Sequence, residues 1–390
     1  MKTEQAKKIF NEGLEFLKMN GLEFNANQHA KKLRDVALSY VAEIKKEIKP
    51  QAIFLTGSSI VGCSGKGSDI DIDVIVTGSS KPLQKRIFET VPVDLQITSI
   101  RNWRENATAG ENVRYLTHSV PIYVNNPCIL EEWQAAIKKY YSRQSYSAEY
   151  QRVSKLIYGK EKDIEYFKSH RRLFLSILPL EWCLIDAINL LIYKYKGCPS
   201  NSTMLDEFKR ISQIIGKTMW YSKALQLMRF DLNASSNKHL LHVYKRLFTR
   251  MRVLIADHGN IVTRLKKLKM GIFDASHALQ ELTTTINEKQ LIDKVERMIE
   301  RKKNYNAGYA FFCEAWYNFF MFTPFFMLKN VDEQLSENSI KNLPYNIGFE
   351  SWDADIKQMW IEVSRAENIC EPMISEWIEL NKEILKECKP

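Results

Sequence analysis

The chain lacks the motifs that mark several common protein classes. Its seven cysteines are odd in number, scattered and free of C-x-x-C spacing, so the sequence predicts neither a disulfide framework nor a zinc site. This pattern is typical of a reducing compartment, and we expect a cytoplasmic protein. No G-x-G-x-x-G is present, and Gly65-Lys66 lacks the upstream glycine and the following Ser or Thr of a Walker loop. Two common phosphate-binding motifs are therefore excluded.

Long apolar runs are also missing. The first twelve residues are amphipathic and lack the apolar block of a signal peptide. The aromatic-rich segment 309–328 is interrupted by Glu314, Asn318 and Pro324, whereas a membrane span needs about 20 consecutive apolar residues. We interpret this segment as a helix that ends near Pro324 and lies in a core or a homodimer interface. The sequence therefore predicts no membrane partner.

Composition, length and net charge limit the protein class, the number of domains and the type of partner. The 45% hydrophobic and 26% charged content is typical of globular proteins. A length of 390 residues exceeds the usual single domain of about 100–150 residues, so two or three compact units are expected. The net charge of +10 favours anionic partners such as nucleotides or nucleic acid. Because a lysine-rich surface alone gives such a charge, nucleic acid is a possible partner but not the favoured one.

The most informative stretch runs from Ile53 to Val76. A short apolar run stops at Gly57-Ser58, and after a loop three aspartates alternate with apolar residues: Asp69, Ile70, Asp71, Ile72, Asp73, Val74. Alternation predicts a β-strand with the three carboxylates on one face and the apolar side chains in a core. Like charges on one face repel each other, so we expect a cation there. Mg²⁺, a hard cation that prefers oxygen ligands, is the natural candidate.

A further carboxylate, Asp94, lies in a third strand-like run over 91–97. The order of a Gly-Ser turn, a loop, Asp-apolar-Asp and a later aspartate between apolar residues resembles the nucleotidyltransferase superfamily that shares the DNA polymerase β fold. It is most similar to bacterial antibiotic nucleotidyltransferases of the aminoglycoside and lincosamide type. In those enzymes Gly-Ser is followed by a loop that ends in Ser-Asp-apolar-Asp, which Gly57-Ser58 and Ser68-Asp69-Ile70-Asp71 match.

The resemblance implies a two-metal Mg²⁺ enzyme that moves an NMP from an NTP to a hydroxyl of a small-molecule acceptor and releases pyrophosphate. In the family the Asp-apolar-Asp pair binds both metals, and the later carboxylate binds one and often helps to deprotonate the acceptor. We carry these catalytic and metal-binding roles to Asp69, Asp71 and Asp94. Asp73 departs from the family pattern, and we expect it to be a solvated strand end or a salt-bridge partner.

Four residues are candidates for binding the triphosphate. Gly57 permits a tight turn and a close backbone approach, and N–H groups at the start of a short following helix can bind phosphate. The Ser58 hydroxyl can donate to the same phosphates. Lys66 and Ser68 can approach them from the loop.

The periodicity predicts an α+β protein in which a small sheet with flanking helices is followed by a large helical C-terminal part. The resemblance implies that this sheet is polymerase β-like. We expect helices over 4–19 and 25–48, strands near 52–56, 69–76 and 92–99, a short helix after Gly57 and another over 82–89. The resemblance implies that a short strand ending at Tyr123 closes the catalytic domain, 1–142. We expect a helical accessory domain over 143–390, with an internal break near 257. A helix is predicted over 127–141, and the predicted helices that follow it are 147–169, 172–196, 202–214, 216–230, 235–256, 259–270, 275–300, 307–328, 333–341 and 351–386.

Glu181 and Asp186 lie in an apolar run of the helical part. Antibiotic-modifying relatives often recruit a general base from such a domain. A buried carboxylate usually needs a cationic partner, and we favour a pair with Arg171, Arg172 or Lys194 over a catalytic role.

The remaining alternatives differ in the acceptor. The basic stretches 245–252 and 264–269 can bind nucleic acid or form ordinary amphipathic helices. A nucleotide second-messenger enzyme, an RNA- or tRNA-tailing enzyme, and a toxin-like transferase that modifies a protein or tRNA therefore stay open. The chemical step is the same in all of them.

Overall fold

The chain folds as two compact units in the computed structural model. The first unit comprises Met1–Lys155, Asp186–Gly216 and Ile384–Pro390, and the second comprises Leu156–Ile185 and Lys217–Glu383. All of the predicted catalytic range, 1–142, falls in the first unit; the domain boundary at 142/143 stays a prediction. The residues that the structure describes are 3–24, 26–62, 64, 68–108, 116–169, 173–197, 203–228, 233–257, 259, 269–270, 273–274, 286–300, 304–310, 353–364 and 369–390.

Helices and strands alternate in the first part of the chain, as the change in hydrophobic period predicts. In chain order the elements are α1 (Thr3–Met19), α2 (Gln28–Glu47), β1 (Ala52–Thr56), α3 (Ser58–Val61), β2 (Ile70–Val76), β3 (Lys81–Phe88), β4 (Val91–Ser99), α4 (Ile100–Thr108), β5 (Val120–Val124) and α5 (Pro127–Tyr140). The predicted strands near 52–56, 69–76 and 92–99, the short helix after Gly57 and the strand through Tyr123 are confirmed.

The five strands form one mixed sheet in the order β3-β4-β2-β1-β5. β2 and β4 are parallel, while β1 pairs antiparallel with β2 and β5, and β3 pairs antiparallel with β4. A small mixed sheet with helices, followed by a largely helical remainder, confirms the α+β class.

The two faces of this sheet are covered differently. On one face the buried residues Ile53, Leu55 and Ile72 belong to the same core as the apolar side of α2. On the other face Phe54 stacks on Trp103 of α4 at a centroid distance of 5.9 Å and lies 6.2 Å from Trp133 of α5. The aspartates of β2 alternate with the core residues and so belong to this second face.

The helix predicted over 82–89 is wrong, because this segment is strand β3 of a hairpin with β4. The two residues of the turn, Glu89 and Thr90, have φ angles of 47° and 70°, and Phe88 pairs with Val91 across it. Two-residue hairpin turns with positive φ usually contain Asn-Gly or Asp-Gly. Glu-Thr carries no such signal, so the sequence pattern did not reveal the turn.

The rest of the described chain is mainly helical, as predicted. Two predicted helices are divided: 172–196 contains a 3₁₀ turn before its α-helix, and 351–386 contains two separate helices. Residues 269–270, predicted as helix, pair antiparallel with 273–274. The elements are α6 (Arg143–Ser169), a 3₁₀ turn (Leu173–Ser176), α7 (Ile177–Lys194), α8 (Met204–Ile214), α9 (Thr218–Leu227), α10 (Ala234–Asp257), β6 (Lys269–Met270), β7 (Phe273–Asp274), α11 (Ile286–Glu300), α12 (Ala354–Ser364) and α13 (Glu371–Glu387).

Helix α10 ends at Asp257, and the internal domain break near 257 stays a prediction. Residues 304–310 are helical, whereas the predictions over 311–328 and 333–341 lie outside the described residues. Among the helices that the structure describes, none is both long and apolar enough to cross a membrane.

The hairpin turn gives a prediction for stability. We expect Thr90→Gly to raise the free energy of unfolding by about 1 kcal/mol, because a left-handed conformation costs a residue with a Cβ roughly 1–2 kcal/mol. Urea-induced unfolding measures the change. Thr90→Ala keeps a Cβ and serves as the control, with a smaller expected gain. A loss of stability in Thr90→Gly would contradict the strain at this turn.

Candidate functional site

Three aspartates converge where β2 and β4 begin. Asp71 is the register partner of Asp94 in the parallel β2–β4 pair, and Asp69 immediately precedes β2. One carboxylate oxygen from each of the three lies within 4.8 Å of the others. Adjacent strands fix this arrangement because cross-strand partners project from the same face of a sheet. The structure thus brings together the three residues predicted to bind metal.

The end of β1 approaches the same carboxylates. Thr56 is the register partner of Asp71, and the next residue, Gly57, has a φ of 72°. A Cβ placed on Gly57 would lie 2.1 Å from Oδ2 of Asp71. Both the backbone conformation and the space therefore require glycine here. The predicted turn at Gly57 is in direct contact with the carboxylate cluster.

The residues after Gly57 form the short helix α3 and a loop. Ser58 lies at the start of α3, and its Oγ is 3.0 Å from Oγ of the buried Ser64. Ser68 is half-buried and precedes Asp69 in the chain. Lys66, the remaining predicted phosphate contact, lies outside the described residues. Ser58 and Ser68 thus flank the loop that leads from the turn to the first aspartate.

Asn27, the N-cap residue of α2, is hydrogen-bonded to this loop. Its Oδ1 accepts a hydrogen bond from the Ala30 N–H at 2.8 Å and so caps α2. Its Nδ2 donates to the carbonyl of Ser64 at 2.8 Å, and its backbone N–H donates to the carbonyl of Gly62 at 3.2 Å. One residue thus links the start of α2 to the loop.

Arg34, about two turns further along α2, is hydrogen-bonded to backbone carbonyls of α3. Its Nε donates to the carbonyl of Ser59 at 2.8 Å and its Nη2 to the carbonyl of Ile60 at 2.6 Å. Burial lowers the pKa of this guanidinium. The sequence pattern did not single out Asn27 or Arg34. An Asn at the start of a helical pattern is a recognised cap signal, whereas nothing in the sequence marked Arg34.

Burial and mutual repulsion make the cluster costly without a cation. The pKa of Asp71 is raised to about 7, first by burial and then by the charges of Asp69, Asp94 and Asp73, while Lys85 opposes the rise. Burial also raises the pKa of Asp94, again opposed by Lys85, whose Nζ lies 3.8 Å from Oδ2 of Asp94. A divalent cation at the cluster would offset this repulsion and oppose the rise in the pKa of Asp71 and of Asp94.

Asp73 lies on the same face, one pleat further into the sheet. Its register partners are Phe54 and Gln96, and burial raises its pKa to about 6. The expected solvated strand end is wrong, because Asp73 lies in the middle of β2. It is not among the three aspartates whose oxygens converge.

The two carboxylates of the apolar helical run have separate surroundings. Oδ2 of Asp186 accepts a hydrogen bond from Nη1 of Arg152 at 3.1 Å, and Arg152 also pairs with Glu149. An ion pair was expected, but with Arg171, Arg172 or Lys194, and the observed partner is Arg152. Lys194 lies 3.6 Å from Glu387 instead. Glu181 is buried and belongs to the second unit.

The basic stretch 245–252 is largely engaged within the second unit. Lys245 lies 3.7 Å from Glu296, Arg250 lies 2.8 Å from Asp353, and Arg252 pairs with Glu288. Acidic side chains of the same unit partly neutralise these cations, which weakens their electrostatic attraction to the phosphates of a nucleic acid. The second basic stretch, 264–269, lies outside the described residues except for Lys269.

The contact at Gly57 predicts the effect of a single methyl group. We expect Gly57→Ala to destabilise the protein by about 1–3 kcal/mol, because its φ of 72° and ψ of −147° lie in a region that residues with a Cβ rarely adopt. We also expect the variant to weaken Mg²⁺ binding, because the new Cβ displaces the Asp71 carboxylate. Titration calorimetry and urea-induced unfolding measure the two effects. Gly78→Ala is the matched control, since a Cβ at Gly78 would meet nothing within 4 Å. Equal Mg²⁺ affinity in the two variants would contradict this account.

The raised pKa of Asp71 predicts how stability depends on pH. Between its ordinary pKa of 3.8 and about 7, the folded state keeps a proton that the unfolded state releases, so the free energy of unfolding falls as the pH rises through this window. We expect Asp71→Asn to stabilise the metal-free protein at pH 8, on the order of 2 kcal/mol, and less at pH 5.

Thermal unfolding with a chelator present measures this difference between the two pH values. Asp35→Asn, at an exposed position on α2, is the control and should change stability little at either pH. Destabilisation by Asp71→Asn at pH 8 would contradict the claim that burial and neighbouring charges make the ionised Asp71 carboxylate destabilising.

No protein-family model and no curated protein matches this chain. A function for the chain has to rest on the geometry of Asp69, Asp71, Asp94 and the turn at Gly57.

Proposed function

We propose that this chain is a Mg²⁺-dependent nucleotidyltransferase of the DNA polymerase β-like superfamily. It transfers an NMP from an NTP to a hydroxyl of a small-molecule acceptor. The observation that carries the proposal is the convergence of three carboxylate oxygens within 4.8 Å beside a Gly-Ser turn whose glycine contacts one of them. Strand order and the position of the turn support a polymerase β-like sheet.

The residues of the site fit a divalent metal. Asp69, Asp71 and Asp94 supply hard oxygen ligands from two neighbouring strands, and burial raises the pKa of Asp71 and of Asp94, which a bound cation would reverse. In such sites two metals stabilise the attacking and the leaving oxygens of an in-line displacement. Asp69 and Asp71 would hold both ions, and Asp94 would hold one.

The protein's own groups orient the reactants. The Ser58 hydroxyl and the backbone around Gly57 would bind the triphosphate tail, and the fixed position of α3 keeps them in place. The acceptor oxygen forms a bond to the α-phosphorus as the bond from that phosphorus to the β-phosphate oxygen breaks, and pyrophosphate leaves. The Asp94 carboxylate would take the acceptor's proton, as a positioned base does for an unactivated hydroxyl.

The acceptor distinguishes this proposal from its alternatives. Second-messenger synthesis, RNA or tRNA tailing and modification of a protein or tRNA use the same displacement. Within the described part of the chain, the internal ion pairs of Lys245, Arg250 and Arg252 speak for a small molecule over a nucleic acid. A cytoplasmic location, where NTP and Mg²⁺ are available, is part of the proposal.

Substitution of the metal-binding carboxylates tests the proposal. We expect Asp69→Asn and Asp71→Asn each to lower NMP transfer about a thousandfold or more, because several kcal/mol of transition-state stabilisation depend on the metals. The assay uses each α-labelled NTP with Mg²⁺ and a panel of candidate acceptors, and it follows label transfer and pyrophosphate release.

Asp73→Asn is the matched control. Asp73 shares the strand and the face of Asp71 but lies outside the convergent group, so this variant should keep activity within about tenfold of wild type. Undiminished turnover in Asp69→Asn or Asp71→Asn, or no transfer from any NTP by the wild-type protein, would reject the proposal.

A further inference from the structure

Strand β3 has its apolar residues on the unexpected side. Lys85 and Ile87 share one face by alternation, and Leu83 precedes them where the β3–β4 pairing is irregular, between Lys81 and Gln84. Leu83 and Ile87 are 48% and 79% exposed. A half-covered antiparallel strand usually turns its apolar residues to the core and its charges to water. Single exposed apolar residues are common, but two that flank a lysine on one strand form a continuous strip.

The opposite face of β3 explains this inversion. There Phe88 packs against Tyr40 of α2 at a centroid distance of 4.5 Å, and Arg86 pairs with Glu47 at 2.6 Å. The side of β3 that packs on α2 therefore consists of Phe88 and Arg86. Leu83 and Ile87 lie on the other side. We name the residues Leu83, Lys85 and Ile87 the β3 strip.

The β3 strip adjoins the carboxylate cluster. Lys85 is the register partner of Asp94, and antiparallel partners project from the same face. The Lys85 ammonium lies 3.8 Å from the Asp94 carboxylate and remains 48% exposed. The strip therefore lies on the face of the sheet that carries Asp71 and Asp94.

In the sheet, strands β2 and β4 lie between the β3 strip and the Gly-Ser turn at the end of β1. The turn at Gly57 ends β1, and β2, β4 and β3 follow in the sheet, each about 4.8 Å from the last. In an in-line displacement the acceptor oxygen attacks from the side opposite the leaving pyrophosphate. With pyrophosphate at the β1 end and the α-phosphate over β2, the acceptor approaches over β4 and β3.

We infer that the β3 strip binds the acceptor, and that the acceptor is an alcohol with an apolar ring or chain and a neutral or anionic substituent. This rests on the proposed function. Leu83 and Ile87 are four residues apart, so the strip extends over about 13 Å, the length of a small ring-bearing molecule. Lys85 would repel a polycationic amino sugar and attract an anionic group, because exposed charges at this range contribute up to about 1 kcal/mol.

Methyl NMR on the full chain tests the inference. The protein, labelled at Ile and Leu methyl groups, is first saturated with Mg²⁺ and the α,β-methylene analogues of the four NTPs. It is then titrated with para-hydroxymethylbenzoate or with para-aminomethylbenzyl alcohol, two aromatic alcohols of similar size and opposite charge. We expect both to shift the methyl resonances of Leu83 and Ile87, with the cationic probe binding about threefold more weakly.

Matched variants make the result specific. Ile214, at the end of α8, is 62% exposed and serves as the internal control; its methyl resonance should not move. Ile87→Ser should abolish the shift at Leu83, Ile214→Ser should leave it intact, and Lys85→Gln should remove the difference between the two probes. No shift at the β3 strip, equal shifts at Ile214 or tighter binding of the cationic probe would overturn the inference.

The same sample separates this inference from the proposed function. Nucleotide binding should shift the methyl resonances of Ile60 in α3 and Ile70 in β2. If those shift and Leu83 and Ile87 do not respond to the probes, the acceptor inference alone fails. If no nucleotide analogue shifts Ile60 and Ile70, the proposed function fails and the acceptor inference fails with it.

Discussion

The contact between Gly57 and the Asp71 carboxylate is the constraint on which the site depends. A side chain at residue 57 would lie 2.1 Å from Oδ2 of Asp71, so the end of β1 can reach the carboxylates only through glycine. This approach brings the Gly-Ser turn next to the place where Asp69, Asp71 and Asp94 converge. A turn suited to phosphate and a cluster suited to a divalent cation thus become one site.

Holding three like charges together works against the stability of the fold, and the surrounding structure offsets it. The aspartates lie on or next to two paired strands, whose ladder fixes their spacing. Asn27 and Arg34 connect α2 to the loop and to α3 by hydrogen bonds, which stabilise the position of the turn beside the carboxylates. An arrangement that is locally unfavourable and firmly supported is typical of a functional site.

The sequence revealed the features that follow from local periodicity. Alternation of aspartate with Ile and Val identified β2 and the shared face of its carboxylates, and Gly57 marked the end of β1. Features that depend on residues far apart in the sequence could not be predicted from local patterns. The pair of Asp186 with Arg152 joins residues 34 positions apart, Arg34 acts through carbonyl groups that any residue supplies, and the Glu89-Thr90 turn has none of the residues that usually favour positive φ.

Anomalous diffraction from crystals grown with Mn²⁺ and an α,β-methylene NTP would locate both the metal ions and the nucleotide. We expect Mn²⁺ peaks within about 2.2 Å of carboxylate oxygens of Asp69, Asp71 and Asp94, with the triphosphate tail against the Gly57-Ser58 turn. Peaks elsewhere, or a nucleotide bound away from that turn, would contradict the proposed site.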